Sequence, residues 1–333
     1  MPRTPLALAF LALPLVAFAQ DAIPELWSTP APEVAPAAEE HGIFPLWGDK
    51  VRAKGFDLPK PFGFMVNYYY QKSDIHISNL KLGFNGGPMY DAGFIQIPKA
   101  TAWGSALAIR PSLMVLPFLS LYAVYSSGKT ETTVNITSPV EASTTASSGA
   151  QVLALGATFQ IGWRGYFAVA DFNGAVSDVD RLADLVGANV LSFRLGKAFR
   201  LDEKGQSLSV WAGTLGQVID VETSGTVRLA DVLPPPQQST IDSAQAKCDA
   251  IPPSNAAQKL ACNQLVQKMR NWANGSEPAA SVDYSLDKKP ASIWNLALGG
   301  QYALDKYWMF RAEVTFLGGR SSVLAGVEYR FDI

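Results

Sequence analysis

The sequence predicts an all-β fold, an antiparallel transmembrane β-barrel of about ten strands that carries a helical, disulfide-stapled insert outside the membrane. Three observations predict it. The chain begins with an export signal. No later stretch is long and apolar enough to form a membrane-spanning helix. After residue 61, segments of about a dozen residues alternate apolar and polar side chains and are separated by turn residues.

The first 19 residues have the organisation of a secretory signal peptide. Arg3 supplies the positive charge, Leu6–Ala17 is the apolar core, and Ala17-Phe18-Ala19 is a small-residue cleavage site. The apolar core is too short to cross a bilayer as a helix. We therefore expect residues 1–19 to be removed on export and the mature chain to start at Gln20.

Composition narrows the classes of protein. Hydrophobic residues make up 48% of the chain and charged residues 17%, which is lean in charge for a soluble globular domain. The formal net charge of -2 gives no argument for a nucleic-acid partner. The two His and two Cys residues have no zinc-like spacing, so neither a metal nor a cofactor is expected.

The chain divides into a leader and a barrel. Residues 20–60 are rich in Pro and Ala and are expected to form an extended leader without a core. Residues 61–333 are expected to form the barrel, with an extramembrane insert at about 219–290. The expected strands are Phe62–Ile77, Trp103–Val115, Leu119–Gly128, Ser148–Gly162, Tyr166–Asp178, Ala188–Phe199, Ser207–Val218, Ser292–Leu304, Tyr307–Leu317 and Ser321–Ile333.

The strand number follows from parity. Ten strands place both chain termini on the periplasmic side, as an even-numbered antiparallel barrel requires. If His76–Phe84 forms a separate strand, a further strand must exist and the barrel has twelve.

Alternation indicates which side chains face lipid. In Lys306–Leu317 and Ser321–Ile333, aromatic side chains share one face and charged side chains share the other. An Arg or Lys that faces lipid at mid-membrane costs about 2–4 kcal/mol, so the charged face is expected to line the lumen. The expected lumen network consists of Arg110, Asp171, Arg194, Arg311, Glu313, Glu328 and Arg330.

Three features favour a membrane barrel over a soluble sandwich, whose strands would alternate in the same way. The segments are long enough for tilted spanning strands of about 9–11 residues. Short and long connections alternate, as they do between periplasmic turns and outer loops. Aromatic side chains cluster near the segment ends, where interface girdles form, at Trp103, Trp163, Trp294, Tyr302 and Phe331.

The last strand resembles the C-terminal assembly signal of bacterial (Gram-negative) outer-membrane β-barrel proteins. The matching residues are Gly326, Tyr329 and Phe331, whereas Leu324 replaces a usual polar residue and the chain continues past Phe331 by two residues. The resemblance implies a location in the outer membrane, contact with outer-membrane lipids and handling by the outer-membrane assembly machinery. It names no subfamily.

Cys248 and Cys262 are expected to form a disulfide within the insert, because an exported chain meets an oxidising compartment. The loop they would close has about 15 residues, for which chain entropy gives about 3 kcal/mol. Ser243–Ala250 and Asn255–Trp272 have helical patterns and are separated by a Pro-Pro pair. The sequence therefore predicts a stapled helical hairpin on the outer side of the membrane, which either caps a loop or recognises an extracellular partner.

His76 and Ser78 are the candidate catalytic residues. The stretch around them resembles the His-x-Ser-Asn motif of outer-membrane phospholipases, in which His acts as the base for a Ser nucleophile, although Leu80 stands where that family has Gly. A strand would place both side chains on one face. The alternative is a polar rim or loop segment without catalytic function.

Three functions follow from these features. A ten-strand barrel is nearer to the filled eight-strand size than to an open pore, so it forms either a narrow passage for small solutes or a polar plug. A structural or interaction role, carried by the outer loops and the insert, is an equal alternative. A lipid hydrolase that uses His76 and Ser78 ranks behind both.

Overall fold

The computed structural model describes residues 42–53, 58–84, 86–180, 185–201, 206–219, 222–233, 235–276 and 281–332. The expected signal peptide, residues 20–41 of the expected leader, and Ile333 lie outside the described residues. Within the leader, Gly48–Arg52 forms helix α1, and the backbone N–H of Leu46 donates a hydrogen bond to Val115 O. This part of the leader therefore lies against the barrel.

The described strands alternate with short turns and long outer segments. They are, in chain order, β1 (Phe62–Phe84), β2 (Tyr90–Asp91), β3 (Lys99–Leu116), β4 (Leu119–Ile136), β5 (Ala142–Trp163), β6 (Tyr166–Val179), β7 (Val186–Arg200), β8 (Ser207–Ile219), β9 (Glu222–Arg228), β10 (Ser281–Pro290), β11 (Trp294–Ala303), β12 (Trp308–Phe316) and β13 (Arg320–Phe331).

Ten of these strands close into an antiparallel barrel, in the order β1-β3-β4-β5-β6-β7-β8-β11-β12-β13. The closing pair runs from Phe62 opposite Phe331 to Ser73 opposite Arg320. The expected number of ten is confirmed, and the alternative of twelve barrel strands is wrong. The stretch His76–Phe84 lengthens β1, with a register shift between Ser78 and Lys81, and adds no separate barrel strand.

The outer surface of the barrel is an apolar belt. On β5, Leu155, Phe159, Ile161 and Trp163 are between 46% and 69% exposed, whereas the alternate residues Thr158 and Gln160 are buried. At a rise of about 3.3 Å per residue and a tilt of about 45°, Leu153–Trp163 spans about 23 Å of the membrane normal. The apolar band of membrane barrels is about 25 Å tall.

Aromatic side chains border this belt at both ends. Trp308 and Tyr329 pack at the end that carries the chain termini, with ring centroids 4.9 Å apart. At the other end, the Lys72 ammonium lies 4.6 Å from the Trp103 ring centre. A closed barrel with an apolar belt and two aromatic girdles is a transmembrane barrel of the outer-membrane type. The soluble sandwich is wrong, because the apolar face points outward.

The chain also forms an outer domain, which we define as the described residues within 75–102, 130–148 and 222–290. It projects beyond the barrel at the end opposite the termini. Past Ile75, β1 leaves β13 and β3 and pairs with β10 and β2, while β9 pairs with β10. The stretch between the expected strands Leu119–Gly128 and Ser148–Gly162 is largely strand, because β4 and β5 remain paired up to Ile136 opposite Ala142.

The α-helices described in the outer domain are α2 (Leu229–Val232), α3 (Gln238–Asp249) and α4 (Ala256–Ala273). Of these, α3 and α4 correspond to the expected hairpin. The expected disulfide between Cys248 and Cys262 is confirmed and joins α3 to α4, with Cα atoms 5.5 Å apart. None of the helices in the described ranges is long and apolar enough to span a membrane.

A hydrophobic core holds the outer domain together. Ile241 on α3 and Val266 and Met269 on α4 are fully buried. They belong to one cluster with Val282 and Leu286, which lie on the inward face of β10. The helices are thus packed onto the outer strands by apolar burial, in addition to the disulfide.

Candidate functional site

Side chains from three strands meet inside the barrel around Glu313 on β12. Nε and Nη2 of Arg194 on β7 donate hydrogen bonds to Oε2 and Oε1 of Glu313, at 2.8 and 3.3 Å. The indole Nε1 of Trp211 on β8 donates to Glu313 Oε2 at 2.7 Å. The Arg311 guanidinium lies 4.4 Å from the Trp211 ring centre and donates to Glu313 Oε2 at 3.5 Å. We call these four residues the Glu313 cluster.

A second group of side chains, the Asp171 cluster, lies beside it. Tyr122 on β4 and Thr158 on β5 donate hydroxyl hydrogen bonds to Asp171 on β6, at 3.1 and 2.6 Å. The Arg110 guanidinium lies 4.1 Å from the Tyr122 ring centre, which is a cation–π contact. Asp171 also attracts Arg194 electrostatically. The two clusters therefore form one polar layer across the lumen.

Glycines on neighbouring strands make room for the two inward aromatic rings. A Cβ atom at Gly156 would overlap the ring of Tyr122, and one at Gly299 would overlap the indole of Trp211. Glycine in a strand interior often marks such a close approach. The rings can therefore lie against the barrel wall beneath the guanidinium groups.

Polar contacts continue towards both ends of the lumen. Near the termini, Arg330 Nη1 donates to Glu328 Oε1 at 3.1 Å, and its Nε donates to Lys60 O at 2.8 Å. Near the outer end, the guanidinium of Arg320 donates to the side-chain oxygen of Gln217. Hydrogen-bonded side chains thus lie both above and below the polar layer.

The charges buried in the described lumen do not balance. Five guanidinium groups face three carboxylates, which leaves two positive charges in excess. Cation–π contacts and hydrogen bonds with neutral groups accompany the ion pairs. The groups are Arg110, Arg194, Arg311, Arg320 and Arg330, with Asp171, Glu313 and Glu328.

The structure places all seven residues of the expected lumen network inside the barrel, each at most 4% exposed. It brings five of them into the polar layer and sets Glu328 and Arg330 nearer the termini. Sequence reasoning missed Trp211, Tyr122 and Arg320. The signal was present, because Trp211 has the opposite parity to the outward Leu208 and Val210 on β8.

The two candidate catalytic residues lie outside the lumen. His76 and Ser78 are exposed on one face of β1 in the outer domain, opposite Lys289 and Asp287 of β10. The amide of Asn79 donates a hydrogen bond to Asp287, at 2.7 Å. The hydrolase interpretation therefore gains no support from this arrangement.

The three residues that resemble the assembly signal lie on β13, where it pairs with β1 and closes the barrel. Phe331 stacks on Phe62 of β1 with ring centroids 5.9 Å apart, and Tyr329 lies in the aromatic girdle near the termini. Gly326 faces Asn67, whose amide occupies the space that a Cβ atom would need. Handling by the assembly machinery stays a prediction.

The outer domain contains an apolar cavity of about 70 Å³. Its walls come from the outer parts of β1, β4 and β5, from residues 95–97, and from β9, β10, α2 and α4. Leu82, Val134, Val227 and Leu265 are among the lining residues. No group of three or more potential metal ligands occurs in the part of the chain that the structure describes.

Comparison with solved structures finds bacterial outer-membrane β-barrels. The β-domain of the Bordetella autotransporter BrkA is 12% identical, with 82% of this chain and 100% of that chain covered and a TM-score of 0.40. OprG from Pseudomonas aeruginosa is 10% identical, with 82% and 98% covered and a TM-score of 0.39.

The translocator domain of the autotransporter NalP from Neisseria meningitidis is 11% identical, with 85% and 93% covered and a TM-score of 0.35. No protein-family model and no curated protein sequence matches the chain. At these identities and TM-scores, the likenesses assign no role to this chain.

Proposed function

We propose that the barrel is a closed membrane anchor and that the protein acts through its outer domain, in a structural or interaction role. The observation that carries this proposal is the polar layer. Arg194 and Glu313 reach across from strands that are not neighbours, and the Asp171 cluster continues the layer on the other side. A solute that crossed the lumen would have to break these bonds.

Energetics favours a closed state. Separating one partner of a buried, hydrogen-bonded ion pair costs about 3–5 kcal/mol. Above the layer, the cavity between Gln71, Gln217 and Arg320 has a volume of about 10 Å³, which is about one water molecule. Barrels leave a clear aqueous channel at about 16 strands or more.

Planar-bilayer recording tests the proposal. The wild-type protein, folded as judged by heat-modifiable migration, is expected to give no stepwise conductance over many insertions. The triple variant Arg194→Ser, Arg311→Ser and Glu313→Ser removes most of the polar layer and should conduct, which shows that insertion is detected. Reproducible unitary currents from the wild type would overturn the anchor.

A narrow hydrated passage is the second candidate, and orphaned polar atoms favour it. Within the described residues, the buried side-chain oxygens and nitrogens of Gln160 and Asn173 have no hydrogen-bond partner, nor does Ser177 Oγ. Buried polar groups of this kind normally bind water. A connected file of such waters would carry water or very small solutes past the polar layer.

Osmotic measurements separate this candidate from the anchor. Liposomes with the wild-type protein should shrink faster than empty liposomes in stopped-flow light scattering if the file is continuous. Asn173→Leu and Gln160→Leu should then return the rate to that of empty liposomes. Equal rates for the wild type and the empty liposomes would remove the passage and leave the anchor.

A further inference from the structure

We infer that the outer-domain cavity is a binding site for a small, uncharged, apolar molecule, of the size of a simple hydrocarbon ring or chain. This inference rests on the proposed function, because it assigns a ligand class to the domain through which the anchored protein acts. The cavity lies outside the barrel, and the polar layer does not contribute to it.

The chemistry of the walls selects the ligand. Among the described residues, the lining side chains are Leu, Ile, Val and Pro, apart from Thr144. A buried water needs two to four polar partners, so an apolar cavity of this kind stays dry. A molecule without hydrogen-bonding groups loses little on entering it and gains dispersion contacts with its walls.

The frame around the cavity keeps it from collapsing. Val134 and Thr144 are opposite each other on β4 and β5, whose hydrogen-bonded ladder holds them in place. Val282 and Val227 are opposite each other on β10 and β9. The α4 wall at Leu265 lies one turn from Cys262, which the disulfide ties to α3. Walls fixed in these separate ways preserve a space that a flexible loop would fill.

Size and access set further limits. A dry cavity of about 150 Å³ binds benzene. On that scale, about 70 Å³ has room for about three carbon atoms, and for a ring where side chains at the open side move outward. It is partly open and not sealed, so a ligand can enter without unfolding of the domain.

Two neighbouring threonines on β5 provide a matched pair of variants. Thr144 faces the cavity, whereas Thr145 faces away and is exposed. Each of the two residues has a polar contact. That of Thr145 is a hydrogen bond with the hydroxyl of Thr133 at 2.9 Å. Thr144→Phe therefore fills the cavity, while Thr145→Phe makes the same chemical change outside it.

The experiment measures fluorobenzene binding by ¹⁹F NMR to the full chain in lipid nanodiscs. Since the probe also dissolves in lipid, the signal of interest is the difference between proteins. The wild type and Thr145→Phe should show the same saturable binding, and Thr144→Phe should weaken it at least tenfold. Equal binding by all three proteins, or no saturable binding by the wild type, would overturn the inference.

A second variant enlarges the cavity instead of filling it, so the inference can be tested even if Thr144→Phe does not fold. Leu233→Ala enlarges the cavity, so 4-fluorotoluene should bind more tightly relative to fluorobenzene than it does to the wild type. An unchanged ratio would count against the site. If the cavity binds no ligand, the proposal of a closed membrane anchor still stands, because the absence of conductance in planar bilayers is measured without any ligand.

The source of the ligand is decided by native mass spectrometry of the nanodisc sample. A lipid retained by the wild type and Thr145→Phe, but lost from Thr144→Phe, supports the same apolar site and assigns the membrane as its source. A site that is empty after purification, yet saturable by fluorobenzene, supports a free hydrocarbon taken from outside.

Discussion

Arg194 and Glu313 form a two-point ion pair between strands that are not neighbours, since β8 and β11 lie between β7 and β12 in the barrel. Both side chains are almost completely buried. The pair therefore joins two strands that are three positions apart in the closed sheet, on its inward side. It crosses over β8 and β11, the two strands between them.

Replacing Glu313 with Gln should destabilise the barrel by about 3–5 kcal/mol. The substitution keeps the shape of the side chain but leaves Arg194 and Arg311 beside a neutral amide. Unfolding in guanidinium chloride, followed by tryptophan fluorescence in detergent micelles, measures the change in the free energy of unfolding.

Glu131→Gln is the matched control, because Glu131 is exposed on β4 and its loss should change stability by less than about 0.5 kcal/mol. The double variant Arg194→Met and Glu313→Met should recover part of the loss, since it removes both buried charges. If Glu313→Gln unfolds at the wild-type concentration of denaturant, the pair does not brace the barrel.

The hydroxyl and the ring of Tyr122 should make separate contributions to the stability of the barrel. Tyr122→Phe removes one hydrogen bond to Asp171 and should cost about 1–3 kcal/mol, whereas Tyr122→Leu also removes the ring under Arg110 and should cost more. Tyr125→Phe is the control, since its hydroxyl bonds Gln151 at the exposed outer rim. Thermal unfolding in micelles ranks the variants, and equal effects at both tyrosines would contradict the Asp171 cluster.

The spanning strands and their inward faces were predictable because the environment imposes a period of two on every spanning strand. Outside the barrel is lipid and inside is a polar lumen, so a charge such as Arg311 or Glu328 marks the inward parity of its strand. Boundaries beyond the membrane were not predictable in this way. There, β4 and β5 continue as a paired hairpin through a Thr- and Ser-rich tract that carries no lipid signal.

The outer domain and the inward aromatics show the limits of sequence reasoning. The pairing of β1 with β10 joins Ile75 to Pro290, which are far apart in the chain, and no local pattern specifies that register. Tryptophans in membrane barrels are typical of the outward girdles, so residue type alone predicts that Trp211 faces outward. In the structure Trp211 is buried and faces inward. Its place in the alternation of β8, opposite to the outward Leu208 and Val210, indicates the inward face. Gly299 on the neighbouring strand provides the space that the indole occupies.

The disulfide should stabilise the outer domain and leave the barrel unaffected. Cys248→Ser with Cys262→Ser should lower the free energy of unfolding of the helices by about 3 kcal/mol, because the closed loop has about 15 residues. Loss of ellipticity at 222 nm follows the helices, and heat-modifiable migration follows the barrel. A reductant should shift only the wild type. Failure of the barrel itself to fold would show that the insert is part of the membrane scaffold.

Lys288 should make the outer domain more stable at alkaline pH. It is 1% exposed, and burial lowers the pKa of its ammonium from 10.5 to about 8. Between those values the unfolded chain holds the proton and the folded chain has released it, so stability rises with pH by up to about 3 kcal/mol. Above pH 10 the burial of Tyr284, whose pKa is raised to about 12, opposes this rise in stability.

Urea unfolding of the helices at pH 7.5 and 9.5 measures the change of stability with pH. Lys288→Met should abolish this change, and the control Lys289→Met, at an exposed position, should preserve it. A flat wild-type profile would contradict the burial of the charge.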